Sequence, residues 1–64
     1  MKVKDILRIT NNRVYVMEQA TCYSILAKFT DAEEQISTKY SRNDILQAKV
    51  IDIQSSGNDL ILSV

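Results

Sequence analysis

Cysteine and histidine carry much of the catalysis and metal binding in proteins, and this chain has little of either. It contains one cysteine, Cys22, and no histidine, so the commonest general base is absent. Cys22 lies in a stretch with the composition of a strand, where a small buried side chain is the usual role of a free cysteine. A structural zinc site needs about four Cys or His ligands. We therefore predict a protein that is not an enzyme and that has no catalytic residue, metal or other cofactor.

Three neighbouring carboxylates, those of Asp31, Glu33 and Glu34, are the remaining candidates for a divalent-cation site. Their spacing matches no calcium-binding loop, so the sequence favours a solvated turn here. A phosphate-binding loop needs several glycines, and Gly57 is the only one.

Three tyrosines, Tyr15, Tyr23 and Tyr40, offer aromatic faces. Such rings can stack on the bases of single-stranded nucleic acid, pack within the fold, or contact another protein, because the ring is apolar and the hydroxyl is polar. We take Tyr15 and Tyr23 as candidate residues of a protein interface.

The charges are unevenly distributed although the net charge is zero. Residues 1–13 are basic, and residues 14–34 are acidic. The basic segment carries Lys2, Lys4, Arg8 and Arg13. The two segments are either solvated faces or complementary patches that orient a dimer or a partner. The four cations are also the candidate contacts for nucleic acid, although a nucleic-acid-binding protein normally has a basic excess.

The first half of the chain predicts a helix followed by strands. Val3, Ile6 and Leu7, with Thr10, form an apolar stripe at helical spacing, and Asp5 interrupts the alternation that a strand would need. Asn11-Asn12 ends this helix. Strands are predicted over Arg13–Gln19, with Val14 and Val16 on one side, and over 22–30, joined by a turn at 19–21.

Residues 30–40 allow two interpretations. Thr30 and Glu33 fit a capping box that would begin a helical turn. Alternatively, residues 31–34 form a hairpin loop that leads into a third strand, Gln35–Tyr40, and the alternation of Ile36, Thr38 and Tyr40 favours this strand.

The segment KYSRNDIL, residues 39–46, predicts the start of a second helix, Arg42–Ala48. Ser41 is a strong N-cap residue, and Asp44 lies at the third helical position. Tyr40 and Ile45 are spaced for a hydrophobic staple. Two final strands, Val50–Ile53 and Leu60–Val64, are joined by a hairpin turn at Gly57-Asn58.

These elements predict one α+β domain, residues 1–64, with a small antiparallel sheet of four or five strands. The chain has 64 residues, and domains of this size commonly need disulfides, a metal or self-association for stability. One cysteine allows no internal disulfide, so we expect a homodimer. No apolar run is long enough to predict a membrane span, and the alternating charged and apolar residues 1–10 are not typical of a signal peptide. With a free cysteine, the sequence predicts a cytoplasmic location.

The chain resembles very short α+β proteins encoded by bacteria, notably Firmicutes, and by their phages. The resemblance rests on four segments in this order: MKVKDIL, SRNDIL, KVIDI and LILSV. The resemblance covers both ends of the chain and not residues 18–36. It implies a small α+β module from Firmicutes or their mobile elements, with no assigned catalytic residues. If the chain is encoded by a mobile element, we expect it to inhibit a host or rival factor.

The sequence as a whole favours a non-enzymatic protein-interaction module that binds another protein. The alternative is a small nucleic-acid-binding accessory protein that uses the basic N-terminal segment. A steep dependence of nucleic-acid binding on salt would distinguish the second from the first.

Overall fold

The computed structural model describes residues 1–18, 24–30, 33–37 and 40–64. The elements are α1 (Val3–Leu7), β1 (Arg13–Glu18), β2 (Ser24–Phe29), β3 (Glu34–Ile36), α2 (Arg42–Gln47), β4 (Asp52–Ser56) and β5 (Asp59–Ser63). The strands form one sheet in the order β3-β2-β1-β5-β4. The α+β class and the order of helices and strands agree with the prediction. The predicted turn at 19–21, together with Cys22 and Tyr23, lies outside the described residues.

The sheet is mixed, which corrects the prediction of an antiparallel one. β1 pairs antiparallel with β2, as do β2 with β3 and β4 with β5. β1 and β5, however, run parallel, with Val14 opposite Leu60 and Val16 opposite Leu62. Parallel neighbours need a long connection, because the chain must return to the same end of the sheet. Such a pairing has no local signature in sequence.

The hydrophobic core lies between one face of the sheet and the two helices. Val14 and Val16 are buried on this face, as their alternation predicts, and Leu62 lies beside them. The core also includes Val3 and Ile6 from α1 and Ile45 from α2. Because all these residues form one cluster, both helices cover the same face of the sheet.

Helix α1 is shorter than the predicted helix, Val3–Thr10. The backbone N–H of Lys2 donates to Asp5 Oδ2 over 3.0 Å, which fixes the first turn. The helix ends at Leu7, and Thr10 lies beyond it, where its Oγ1 accepts from the backbone N–H of Asn12. The polar side chain of Thr10 therefore closes the following turn instead of completing the apolar stripe.

Strands β2 and β3 pair as an antiparallel hairpin, and Thr30 and Glu33 bond to each other at its end; residues 31–32 lie outside the described residues. Thr30 Oγ1 accepts from the backbone N–H of Glu33, as in a capping box, but it also donates to the carbonyl of Glu33. This closure leads directly into β3, which pairs with β2. The predicted strand Gln35–Tyr40 is too long, because β3 ends at Ile36 and Tyr40 lies in a bend before α2. Residues 38–39 lie outside the described residues.

The strand predicted at Val50–Ile53 begins two residues later, as β4. The reason is that residues 49–50 interact with the N-terminal residues. Lys49 forms an isolated antiparallel bridge with Lys2, and the backbone N–H of Val50 donates to the carbonyl of Met1 over 2.8 Å. The predicted hairpin turn is present, and Gly57 has φ of 61°, in the left-handed region that favours glycine.

Helix α2 begins as predicted. Ser41 Oγ accepts from the backbone N–H of Asp44 over 3.1 Å, and Asp44 Oδ2 accepts from the backbone N–H of Ser41 over 3.3 Å. Each side chain thus satisfies a backbone donor of the other residue. Tyr40 packs against the core cluster that contains Ile45, as a staple requires.

Substitution of the N-cap tests this helix start. Ser41→Ala should lower the free energy of unfolding by about 1 kcal/mol, because the amide of Asp44 loses its acceptor. The measurement is the midpoint of urea denaturation. Asn43→Ala is the matched control, since Asn43 is exposed within the same helix and alanine is the better helix former. Equal midpoints for Ser41→Ala and the wild type would contradict the capping role.

Candidate interaction surface

The basic residues predicted to bind a partner occupy two different places. Lys2, Lys4 and Arg8 lie in or beside α1, on the helix side of the sheet. Arg13 begins β1, where its Nε lies 2.7 Å from Asp59 Oδ1 on the neighbouring strand β5. This ion pair satisfies the charge of Arg13 within the protein. The structure therefore does not bring all four cations into one basic surface.

A further cation joins the helix group. An antiparallel bridge places Lys2 and Lys49 side by side, although they are far apart in the sequence. Lys2 Nζ donates to Gln47 Oε1 over 2.9 Å, which holds its side chain toward α2. Sequence analysis missed Lys49, because only the tertiary contact between the N-terminus and residues 49–50 brings it near. We call Lys2, Lys4, Arg8 and Lys49 the basic cluster.

The second predicted feature, Tyr15, lies on the sheet face that the helices leave uncovered. Its neighbours Val14 and Val16 point into the core, and alternation directs Tyr15 to the opposite side. Its partners across the sheet are Lys28 on β2 and Ile61 on β5. β1 is the middle strand of five, so Tyr15 lies at the centre of this open face.

Apolar side chains surround Tyr15 on the open face. Met17 follows it two residues along β1, and its cross-strand partner is Ile25. Ile25 is half exposed, whereas the next two residues of β2 are both buried. The register shifts between Val16 and Met17, and this bulge allows Leu26 to reach the core while Ile25 stays on the open face. We call Tyr15, Met17, Ile25 and Ile61 the open-face patch.

One charged side chain adjoins the open-face patch without a compensating charge. Lys28 is partly buried beside Tyr15. Within the described residues, its ammonium has no hydrogen bond or ion pair, in contrast to Arg13. The open face thus combines an apolar centre, a satisfied ion pair and one cation that is available to an outside group.

The third tyrosine, Tyr40, has a structural role. Its hydroxyl donates to Glu18 Oε2 over 2.7 Å, which ties the residue before α2 to the end of β1. Both residues line a cavity of about 380 Å³ between α2 and the sheet, whose floor is apolar and includes Leu26 and Val64. The other carboxylate at this cavity, that of Asp44, accepts the cap hydrogen bond. These polar groups hold the helix in place.

Two of the three carboxylates that were candidates for a divalent-cation site, those of Glu33 and Glu34, interact with other side chains of the protein. Glu33 Oε1 accepts from Gln35 Nε2, and Glu34 Oε2 lies 2.7 Å from Arg42 Nε. The hydrogen bond and the negative charge of Glu34 raise the pKa of the Arg42 guanidinium above its usual value. Asp31 lies outside the described residues. No group of three metal-ligating side chains occurs within the described part of the chain.

No helix among the described residues is long and apolar enough to cross a membrane.

The link between Tyr40 and Glu18 generates a stability prediction. Tyr40→Phe keeps the ring and removes the hydroxyl, so it should lower the free energy of unfolding by about 1 kcal/mol. Tyr40→Ala also removes the packing against the core and should cost more. Thermal and urea denaturation measure both variants. A phenylalanine variant that is as unstable as the alanine variant would mean that the hydroxyl, and not the ring, carries the whole contribution of Tyr40.

Comparison with known proteins adds no further assignment to these surfaces. No family model, no curated protein and no solved structure matches this chain.

Proposed function

We propose that this chain is a non-enzymatic protein-interaction module whose open sheet face docks a partner protein. The observation that carries the proposal is the apolar centre of the uncovered sheet face, where Tyr15, Met17, Ile25 and Ile61 lie. Three of the four strand pairings are antiparallel, and the open face of such a sheet normally carries polar side chains. Here the second face keeps Tyr15 and Ile61 opposite each other, both partly exposed to water. A partner that covers them removes this apolar area from water.

The charges of the open face indicate the chemistry of the partner. Arg13 and Asp59 neutralise each other, so they require nothing from outside. Lys28 has no such partner among the described residues and lies next to Tyr15 at the centre. A docking protein should therefore present an apolar surface with one carboxylate opposite Lys28. A buried charge pair of this kind selects the partner and its orientation more than it adds affinity.

A second candidate function, nucleic-acid binding, is supported by the basic cluster. Lys49 lies beside Lys2, and Lys4 and Arg8 lie in and directly after the same short helix. Phosphate groups are bound by such clusters through charge alone. Two observations favour the first candidate. The net charge of the chain is zero, and Arg13 lies outside the basic cluster, in an ion pair with Asp59.

Site-specific photocrosslinking tests the docking face. With benzoylphenylalanine at position 15, a lysate of the source cells should yield a protein adduct of one discrete mass. The crosslinked peptide of the partner should contain Asp or Glu beside apolar residues. The adduct should disappear when Lys28→Glu is added, because like charges then face each other.

The matched control places the same photoreactive residue at position 43, an exposed site on α2 that lies away from the open face. We expect no adduct from this position. Identical adducts from positions 15 and 43, or an adduct that survives Lys28→Glu, would overturn the proposed docking.

Nucleic-acid binding is tested separately by titration of single- and double-stranded DNA and RNA at low salt. We expect dissociation constants weaker than about 100 μM, near the weak limit of non-specific binding. Lys4→Glu/Arg8→Glu removes two cations of the basic cluster, and Lys28→Glu is the control elsewhere on the surface. If the protein binds with micromolar affinity that the double variant abolishes while its circular dichroism is unchanged, the second function replaces the first. The salt slope should then fall by about 1 for each phosphate that the variant no longer binds.

A further inference from the structure

The two edges of the sheet differ in how well they are protected. β3, at one edge, has three residues, and Glu34 within it is bound by Arg42 of α2. β4, at the other edge, has five residues, and every one of them is exposed. It pairs with β5 on one side only, so alternate N–H and C=O groups along its other side have no strand partner in the described fold.

Proteins usually protect a long edge strand with lysine, proline or a bulge. β4 has none of these, and Asp52 is its only charged residue. Exposed apolar side chains also lie along this edge. Ile53 is 48% exposed and Ile51 is 58% exposed, and Met1, whose carbonyl accepts from the N–H of Val50, is 65% exposed. The edge therefore combines free backbone groups with an apolar border.

We propose that β4 pairs antiparallel with β4 of a second copy of this chain, so that five strands from each copy form one continuous sheet. A second copy fits because antiparallel pairing about a two-fold axis makes one edge complementary to itself. It also supplies the stabilisation that a chain of 64 residues without an internal disulfide commonly needs. The proposal goes beyond docking on the open face and uses a different surface.

The side chains of β4 select one register. With the two-fold axis at Ile53, this residue lies opposite its own copy, and Asp52 lies opposite Gln54. With the axis at Asp52, two carboxylates would face each other, which is unfavourable. With the axis at Gln54, Ile53 would face Ser55 and less apolar area would be buried. The first register is therefore the one that we assign.

This pairing has a consequence for the open faces. The two-fold axis of an antiparallel edge pair is perpendicular to the sheet, so both open faces point to the same side. β1 and β4 are separated by two strand spacings in each copy. Five strand spacings would then separate the two Tyr15 residues, two within each copy and one at the new pair. At about 4.8 Å per spacing, this distance is about 24 Å. The dimer would present two docking faces together.

Sedimentation equilibrium tests the pairing. The wild type should be dimeric at about 100 μM, and Ile53→Lys should weaken the dimer at least about tenfold, because a charge is placed in the new strand pair. Ile25→Lys is the matched control, since Ile25 is equally exposed, at 50%, but lies on the open face. Ile25→Lys should leave the dimer intact and weaken docking on the open face. The edge pairing and the docking can therefore fail independently of each other. A wild-type monomer at this concentration, or equal weakening of the dimer in both variants, would overturn the edge pairing.

Disulfide formation tests the register without depending on the lysine variant. In a Cys22→Ser background, Ile53→Cys should form a covalent dimer on mild oxidation, because the paired Cα atoms would lie about 5.5 Å apart or less. Ser55→Cys should not, because the two copies of residue 55 would be displaced by about four residues, or roughly 13 Å, along the strands. Rapid crosslinking through position 55 and none through position 53 would overturn the assigned register.

Discussion

The parallel pairing of β1 with β5 is the interaction on which the rest of the structure depends. It joins Val14 and Val16 to Leu60 and Leu62, and these side chains form the sheet side of the core. Because the two strands run in the same direction, the chain between them must return to the starting end of the sheet. Strands β2 and β4 run back along the sheet, and α2 carries the chain across one face, from β3 at one edge to β4 at the other. Helix α2 lies on the same side as α1, because both pack into one core cluster. Both helices consequently cover one face, and the other face stays open.

Local chemistry accounts for the parts of the fold that the sequence predicts well. Ser41 and Asp44 satisfy each other's backbone amides within one turn of α2, and no distant residue is needed. Gly57 likewise adopts a conformation that other residues rarely take, which fixes the final hairpin. The alternation of Val14 and Val16 identifies the core face of β1, and therefore also places Tyr15 on the other face, where the candidate site lies.

The features that sequence analysis missed depend on residues far apart in the chain. The ion pair between Arg13 and Asp59 spans 46 positions, and only the parallel pairing makes it possible. Lys49 joins the basic cluster because residues 49–50 bond to the N-terminus, and this bonding also delays the start of β4. The predicted third strand is too long because the alternation that defines it continues beyond Ile36, the last residue that pairs with β2.

The difference in length between the two edge strands determines how far association can extend. A sheet grows into a fibre only if each added copy offers a new edge that can accept the next one. Once two copies join through β4, only their β3 strands remain at the outer edges, each with three residues and with Glu34 held by Arg42. An edge that short supports few further hydrogen bonds between chains. In the proposed dimer, assembly would therefore stop at a closed pair, and the unprotected β4 edge would not lead to polymerisation.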